Sequence, residues 1–119
     1  MSLNFVVSGF QDCPSAVVGL ADSNIIPDSS FKASTELRDE YGAKKARFNS
    51  DRCWEPNGNN KDNDYLQIDL GKVFAICAVA TKGNAKSGLD EWTKEYTIST
   101  SIDGKTWTGY PDNNNIKVH

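Results

Sequence analysis

The sequence predicts an all-β domain, an antiparallel sandwich or barrel. Three observations carry this. A strict period-two alternation runs from Glu95 to Ile102. Short apolar stretches are separated by turn-forming glycine, asparagine and aspartate residues. Almost no 3.6-residue periodicity is found anywhere in the chain. The 119 residues fit one domain and leave no room for two ordinary ones. A hydrophobic fraction of 38% with 10% aromatics is enough to build a core and argues against disorder.

The elements follow in order. Phe31 to Thr35 and Ala46 to Asn49 are short strand candidates. Tyr65 to Leu70 places Leu66, Ile68 and Leu70 on one face of a strand. Gly71-Lys72 turns the chain, and Val73 to Thr81 continues as a mostly apolar strand, buried on both sides or bulged. In Glu95 to Ile102, the residues Tyr96, Ile98, Thr100 and Ile102 share a face. Asp103-Gly104 is a dipeptide suited to a tight hairpin, and Lys105 to Tyr110 is the returning strand, with Trp107 pointing into the core. Three polar stretches lie between: Glu36 to Lys45, Ser50 to Asp64 and Lys82 to Thr93. They read as loops because Asn, Asp and Gly satisfy or relax the backbone in turns. No internal repeat or linker divides the chain.

Composition removes several functions. Thirteen basic against sixteen acidic residues give a net charge of −3, which does not suit a nucleic-acid binder that must neutralise phosphates. The longest apolar run, Val73 to Ala80, has eight residues, where a spanning helix needs about 20. No secretory signal is visible at Met1-Ser2-Leu3. Three cysteines, Cys13, Cys53 and Cys77, form no C-x-x-C pair, and the single histidine is His119, so a Cys/His zinc site is not expected. The same scarcity removes catalytic triads, which need a positioned imidazole.

The segment "IIPDSSFKASTE", then "ARFN", "YLQIDLG", "VATKGN" and "EWTKEYTISTSIDGKTW", in that order, resembles the discoidin domain, also called the coagulation factor V/VIII C-type domain. The resemblance runs from about Cys13 onward, so residues 1–12 read as a lead-in and 13–119 as one domain. It implies an antiparallel jelly roll of the galactose-binding-like type. It also implies loops at one end of the barrel that bind glycans, phosphatidylserine membranes, collagen or other extracellular proteins, with no catalysis and a secreted or cell-surface setting. Two departures stand out. Family members commonly bond an early cysteine to a late one, and no cysteine follows Cys77. The pattern also continues through further strands beyond Ile116 to His119. The sequence therefore reads as a fragment, a truncated natural variant or an open version of the barrel. In a chain that ends here unclosed sheet edges are expected, with oligomerisation or marginal stability as the consequence.

Within the loops, Arg38, Tyr41, Arg52, Trp54, Glu55, Asn59, Asn84, Lys86 and Trp92 are the candidate ligand contacts. Trp54 reads as a buried plug under the second loop or as a stacking platform for a sugar ring. Trp92 stands between loop anchor and ligand contact, and exposure of Tyr41 would be informative. No cofactor is required, although Asp62 and Asp64 supply oxygen donors of the kind calcium takes. Arg47 and Asp69 fall in the "ARFN" and "QIDLG" motifs and are expected to pair as ions between two strands. Cys77 reads as a buried free thiol, and Cys53 as free or bridged to another molecule. The expected function is a non-enzymatic extracellular module recognising a glycan or glycoprotein in cell adhesion. The alternatives are a phosphatidylserine or membrane-surface binder and a carbohydrate-binding accessory of an enzyme.

Overall fold

A computed structural model describes residues 2–6, 19–60, 63–72, 79–84, 86, 88 and 91–109. Cys13, Asp62, Cys77 and most of the strand expected over Val73 to Thr81 lie outside them. The described residues hold five strands: β1 (Ser2–Val6), β2 (Phe31–Ala33), β3 (Tyr65–Asp69), β4 (Thr97–Ser101) and β5 (Thr108–Gly109). Short 3-10 turns occupy Asp28–Ser30, Asp39–Tyr41 and Ala43–Ala46.

The described strands form one open sheet in the order β2-β3-β1-β4-β5. Its two outer pairs are antiparallel, with Phe31 opposite Ile68 and Thr100 opposite Thr108. The centre departs from the all-antiparallel expectation. β1 runs parallel to both neighbours, with Phe5 level with Ile68 on one side and Thr100 on the other. Parallel pairing needs a long connection, and both partners lie far along the chain. Among the described residues the outer strands β2 and β5 have only three and two residues.

β3 supplies the core as its alternation requires. Leu66, Ile68 and Leu70 are buried, while Tyr65 and Asp69 face outward. They pack with Ile26, Phe31, Ala43 and Trp54, and half-buried Val79 and Ile98 extend the cluster. β4 follows its alternation only in part. Tyr96 is buried, but Ile102 is 73% exposed. The strand stops at Ser101, whose hydroxyl donates to Asp103 Oδ1 at 3.0 Å and accepts the Gly104 N–H at 2.8 Å. Asp103 Oδ1 also accepts the N–H groups of Lys105 and Thr106, each at 2.8 Å. These bonds tie the turn together, and Gly104 takes a φ of +73° that other residues resist. Ile102 is thereby carried out of the sheet, and the returning strand shortens to β5. Trp107 is half-buried rather than enclosed.

Ala46 to Asn49 forms no strand. Ala46 closes the third 3-10 turn, and the next residue is pinned in place by its own side chain. Arg47 donates to the carbonyls of Leu20 at 2.7 Å and Ile26 at 2.6 Å. It pairs with Asp28 at 2.9 Å and lies 4.6 Å over the Phe31 ring. The expected Arg47–Asp69 pair does not form. Asp69 is exposed and accepts the Gly71 N–H at 2.9 Å, closing the turn after β3.

Candidate functional site

The three loops are built differently. The first, residues 36–45, folds into two 3-10 turns, and the Glu36 carboxylate accepts the Ala43 N–H. The second loop is joined to the first by the backbone of Glu55. Leu37 N–H donates to Glu55 O at 2.8 Å, and Glu55 N–H donates to Tyr41 O at 3.1 Å. Trp54 reinforces the join, since its Nε1–H donates to Thr35 O at 2.9 Å. In the third loop, Asn84 N–H donates to Glu91 O at 2.8 Å and Asn84 Nδ2 donates to Glu91 Oε2 at 2.9 Å. Gly83 allows this closure, because a Cβ there would stand 2.8 Å from Glu91 O.

Between the second and third loops lies a cavity of about 650 Å³, within the range of pockets that enclose small ligands. Its deep side is apolar, with Leu66, Ile68, Val79 and Tyr96. Arg52, Trp54, Glu55, Asn84 and Trp92 all line it. The structure thus brings five of the nine candidate contacts to one place. Trp92 is 56% exposed and presents its ring to solvent, whereas Trp54 is buried. Arg52 lies 5.8 Å over the Tyr41 ring and 3.5 Å from the Glu40 carboxylate, and its buried Nη1 has no hydrogen-bond partner.

The other four candidates sit elsewhere. Tyr41 is buried and supports Arg38, 5.5 Å above its ring, as well as Arg52. It therefore offers ligands no exposed face. Asn59 and Lys86 are exposed and outside the cavity. Their backbone N–H groups close small turns onto Asn57 Oδ1 and Asn84 Oδ1. Asp64 is an internal anchor, 1% exposed, and its Oδ1 accepts the Ser34 and Thr35 hydroxyls, both at 2.7 Å. Its Oδ2 is buried without a hydrogen-bond partner.

Sequence reasoning missed Phe48 and Glu91 at the same cavity, and weighed Lys82, which also lines it, only as a basic loop residue for anionic head groups. Phe48 is 52% exposed, and the Lys82 ammonium lies 4.9 Å from its ring. Glu91 was legible only as the neighbour of Trp92. Cys53 is a half-buried free thiol on the cavity wall. Burial pushes its pKa up, and the nearby charges of Glu55 and Glu91 push it further.

A β-scaffold whose loops converge on one lined cavity is the layout of a loop-based binding domain. The F5/8 type C domain family matches residues 30–119, and the chain belongs to this family of discoidin domains, which are galactose-binding-like β-sandwiches. It is 35% identical over 101 residues to the epithelial discoidin domain-containing receptor 1 of Homo sapiens, covering 80% of this chain and 11% of the receptor. It is 34% identical to coagulation factor V of Sus scrofa, covering 88% of this chain and 5% of that protein. Coagulation factor VIII of Homo sapiens is 31% identical, covering 82% and 4%. The chain thus spans about a tenth or less of the length of these relatives. No solved structure matches. No helix among the described residues is long and apolar enough to cross a membrane.

Proposed function

We propose that this domain is a non-enzymatic extracellular recognition module that binds a glycan, or a glycosylated surface protein, through the cavity between its second and third loops. The carrying observation is the rim itself. The exposed Trp92 ring stands beside Asn84, Glu55 and Arg52 at a cavity of about 650 Å³. A sugar ring has one apolar face and a belt of hydroxyls, so an aromatic plate flanked by amide, carboxylate and guanidinium groups complements it. The polar groups are held by the backbone pairing of the loops, so little ordering cost opposes binding. The family's relatives include a receptor and two coagulation factors, and this setting supports the extracellular reading.

A glycan array probed with the reduced domain, with calcium and with chelator, tests this reading. The expected result is binding to one glycan class that Trp92→Ala abolishes. A blank array for the unaltered domain would remove the glycan reading and leave a protein ligand. The exposed Phe48 and Trp92, with Lys82 against the Phe48 ring, support a second reading, a membrane surface carrying anionic lipid. Co-sedimentation with phosphatidylserine vesicles decides it, and protein left wholly in the supernatant would dismiss it.

A further inference from the structure

We infer that Cys53, Glu55 and Glu91 form a binding site for a thiophilic divalent cation of the zinc class on the wall of the cavity. Their ligand atoms, one thiol sulfur and two carboxylate oxygens, lie within 4.8 Å of one another. The local chain geometry explains the meeting. Residues 53–56 are neither helical nor turned. Cys53, Trp54 and Glu55 all line the cavity. Trp54 packs into the core cluster beneath it, while the Cys53 sulfur and a Glu55 carboxylate oxygen meet on its wall. Glu91 arrives from the third loop, steered by the Asn84 amide, which acts as an outer-shell ligand partner does.

Charge favours the same conclusion. Among the described residues the ion pairs are Arg47–Asp28 and Arg52–Glu40, so neither Glu55 nor Glu91 has a cationic side chain against it. Two carboxylates and a thiol thus converge with no ion pair to either carboxylate among the described residues. The donor set selects the ion. Thiolate sulfur prefers zinc-like metals, whereas calcium and magnesium take oxygen alone. Ligand distances of about 2.0 to 2.3 Å place tetrahedral ligand atoms roughly 3.5 Å apart, and small rotations of the two glutamate side chains supply that contraction. Three protein ligands leave a fourth position open toward the cavity.

The test uses the full, reduced, chelator-treated chain and no glycan, so it is independent of the proposed function. Zinc chloride is titrated calorimetrically, and cobalt(II) serves as the optical probe. One cation per chain is expected, with a near-ultraviolet sulfur-to-cobalt band. Cys53→Ser should remove that band. Glu91→Gln, a change at an exposed residue, should weaken zinc at least about tenfold without moving the unfolding midpoint measured in chelator. His119→Ala should change nothing. Absence of zinc binding would overturn the site, as would binding unaltered in both Cys53→Ser and Glu91→Gln.

Discussion

Two arginines five positions apart line the same cavity and have opposite surroundings. Arg47 belongs to the floor. Its side chain is 10% exposed, and its guanidinium meets two carbonyls, a carboxylate and an aromatic face. Arg52 belongs to the rim. Its side chain is 27% exposed, a carboxylate oxygen stands 3.5 Å away, and Nη1 is buried without a hydrogen bond. A guanidinium whose donors are used up is part of the scaffold. One whose buried Nη1 faces a carboxylate only at 3.5 Å, without a hydrogen bond, keeps capacity that an incoming acceptor can take up. The same contrast separates Trp54, with its N–H bonded and its rings enclosed, from Trp92, with its ring in solvent. The floor is fixed by the fold's own bonds, while the rim keeps one guanidinium nitrogen without a hydrogen bond and one ring in solvent.

This division can be broken by measuring stability on each side of it. Trp54→Ala is expected to have the largest effect, a loss of about 3–5 kcal/mol, because an aromatic core residue leaves a cavity behind. Urea unfolding checks it, and a loss below about 1 kcal/mol would mean that Trp54 belongs to the rim. Arg47→Met comes next, at about 2–4 kcal/mol. Its main cost is the two carbonyls of Leu20 and Ile26 left without a charged donor, since Asp28 is 56% exposed and its ion pair adds little. Arg52→Ala should cost about 1 kcal/mol or less, because Glu40 is mostly in solvent and stands 3.5 Å away, so the ion pair and ring contact add little. If Arg47 and Arg52 variants prove equally destabilised, the contrast between floor and rim fails.

The residues that were legible in the sequence are those governed by local rules. Leu66, Ile68 and Leu70 announce β3 by alternation, and Asp103-Gly104 announces its turn. Alternation cannot say where a strand ends. Ile102 fits the pattern, yet Ser101 and Asp103 close the turn one residue earlier and push Ile102 outside. Long-range partners were not legible. Nothing in the chain from Ser2 to Val6 indicates that it separates β3 from β4, because no hairpin links it to either. Arg47 was readable as a structural cation, but its partner is decided by which chain passes beside it, and that is Asp28. Tyr41 sits among charged residues, and its exposure was not legible. It is buried, with Arg38 and Arg52 over its ring. Cys53 and Glu55 show the same limit, since their common side becomes meaningful only once Glu91 is placed across from them.

Acid provides a probe that leaves both floor and rim unmutated. Asp103 accepts two backbone N–H bonds and the Ser101 hydroxyl, which hold its carboxyl down to about 2. A carboxylate depressed in the folded state contributes stability above its unfolded value, near 3.8, and that contribution fades as pH falls toward 2. The turn after β4 should therefore loosen within this window. Asp103→Asn should remove that part of the acid dependence while leaving the dependence above pH 4 unchanged. Denaturant midpoints recorded from pH 6 to 2 for both chains check it, and parallel curves would show that the turn bonds are not made in solution.

The smallest expected stability change, at Trp92, gives the sharpest test of the division. With more than half of its surface in solvent, Trp92→Ala should shift unfolding by no more than about 0.5 kcal/mol. Binding is a different matter, because an exposed aromatic ring at the mouth of a cavity is the kind of residue that dominates a recognition surface. The two tryptophans should therefore separate cleanly. Trp54 also lines the cavity, but it is a core residue. Trp54→Ala should therefore weaken the ligand mainly through lost fold, and most of its affinity loss should diminish in a stabilising osmolyte. Trp92→Ala should lose the ligand at unchanged stability, and no osmolyte should restore it. Should Trp92→Ala instead unfold the chain, the ring would be a loop anchor, and the recognition surface would have to be sought on the remaining rim, at Arg52, Asn84 and Phe48.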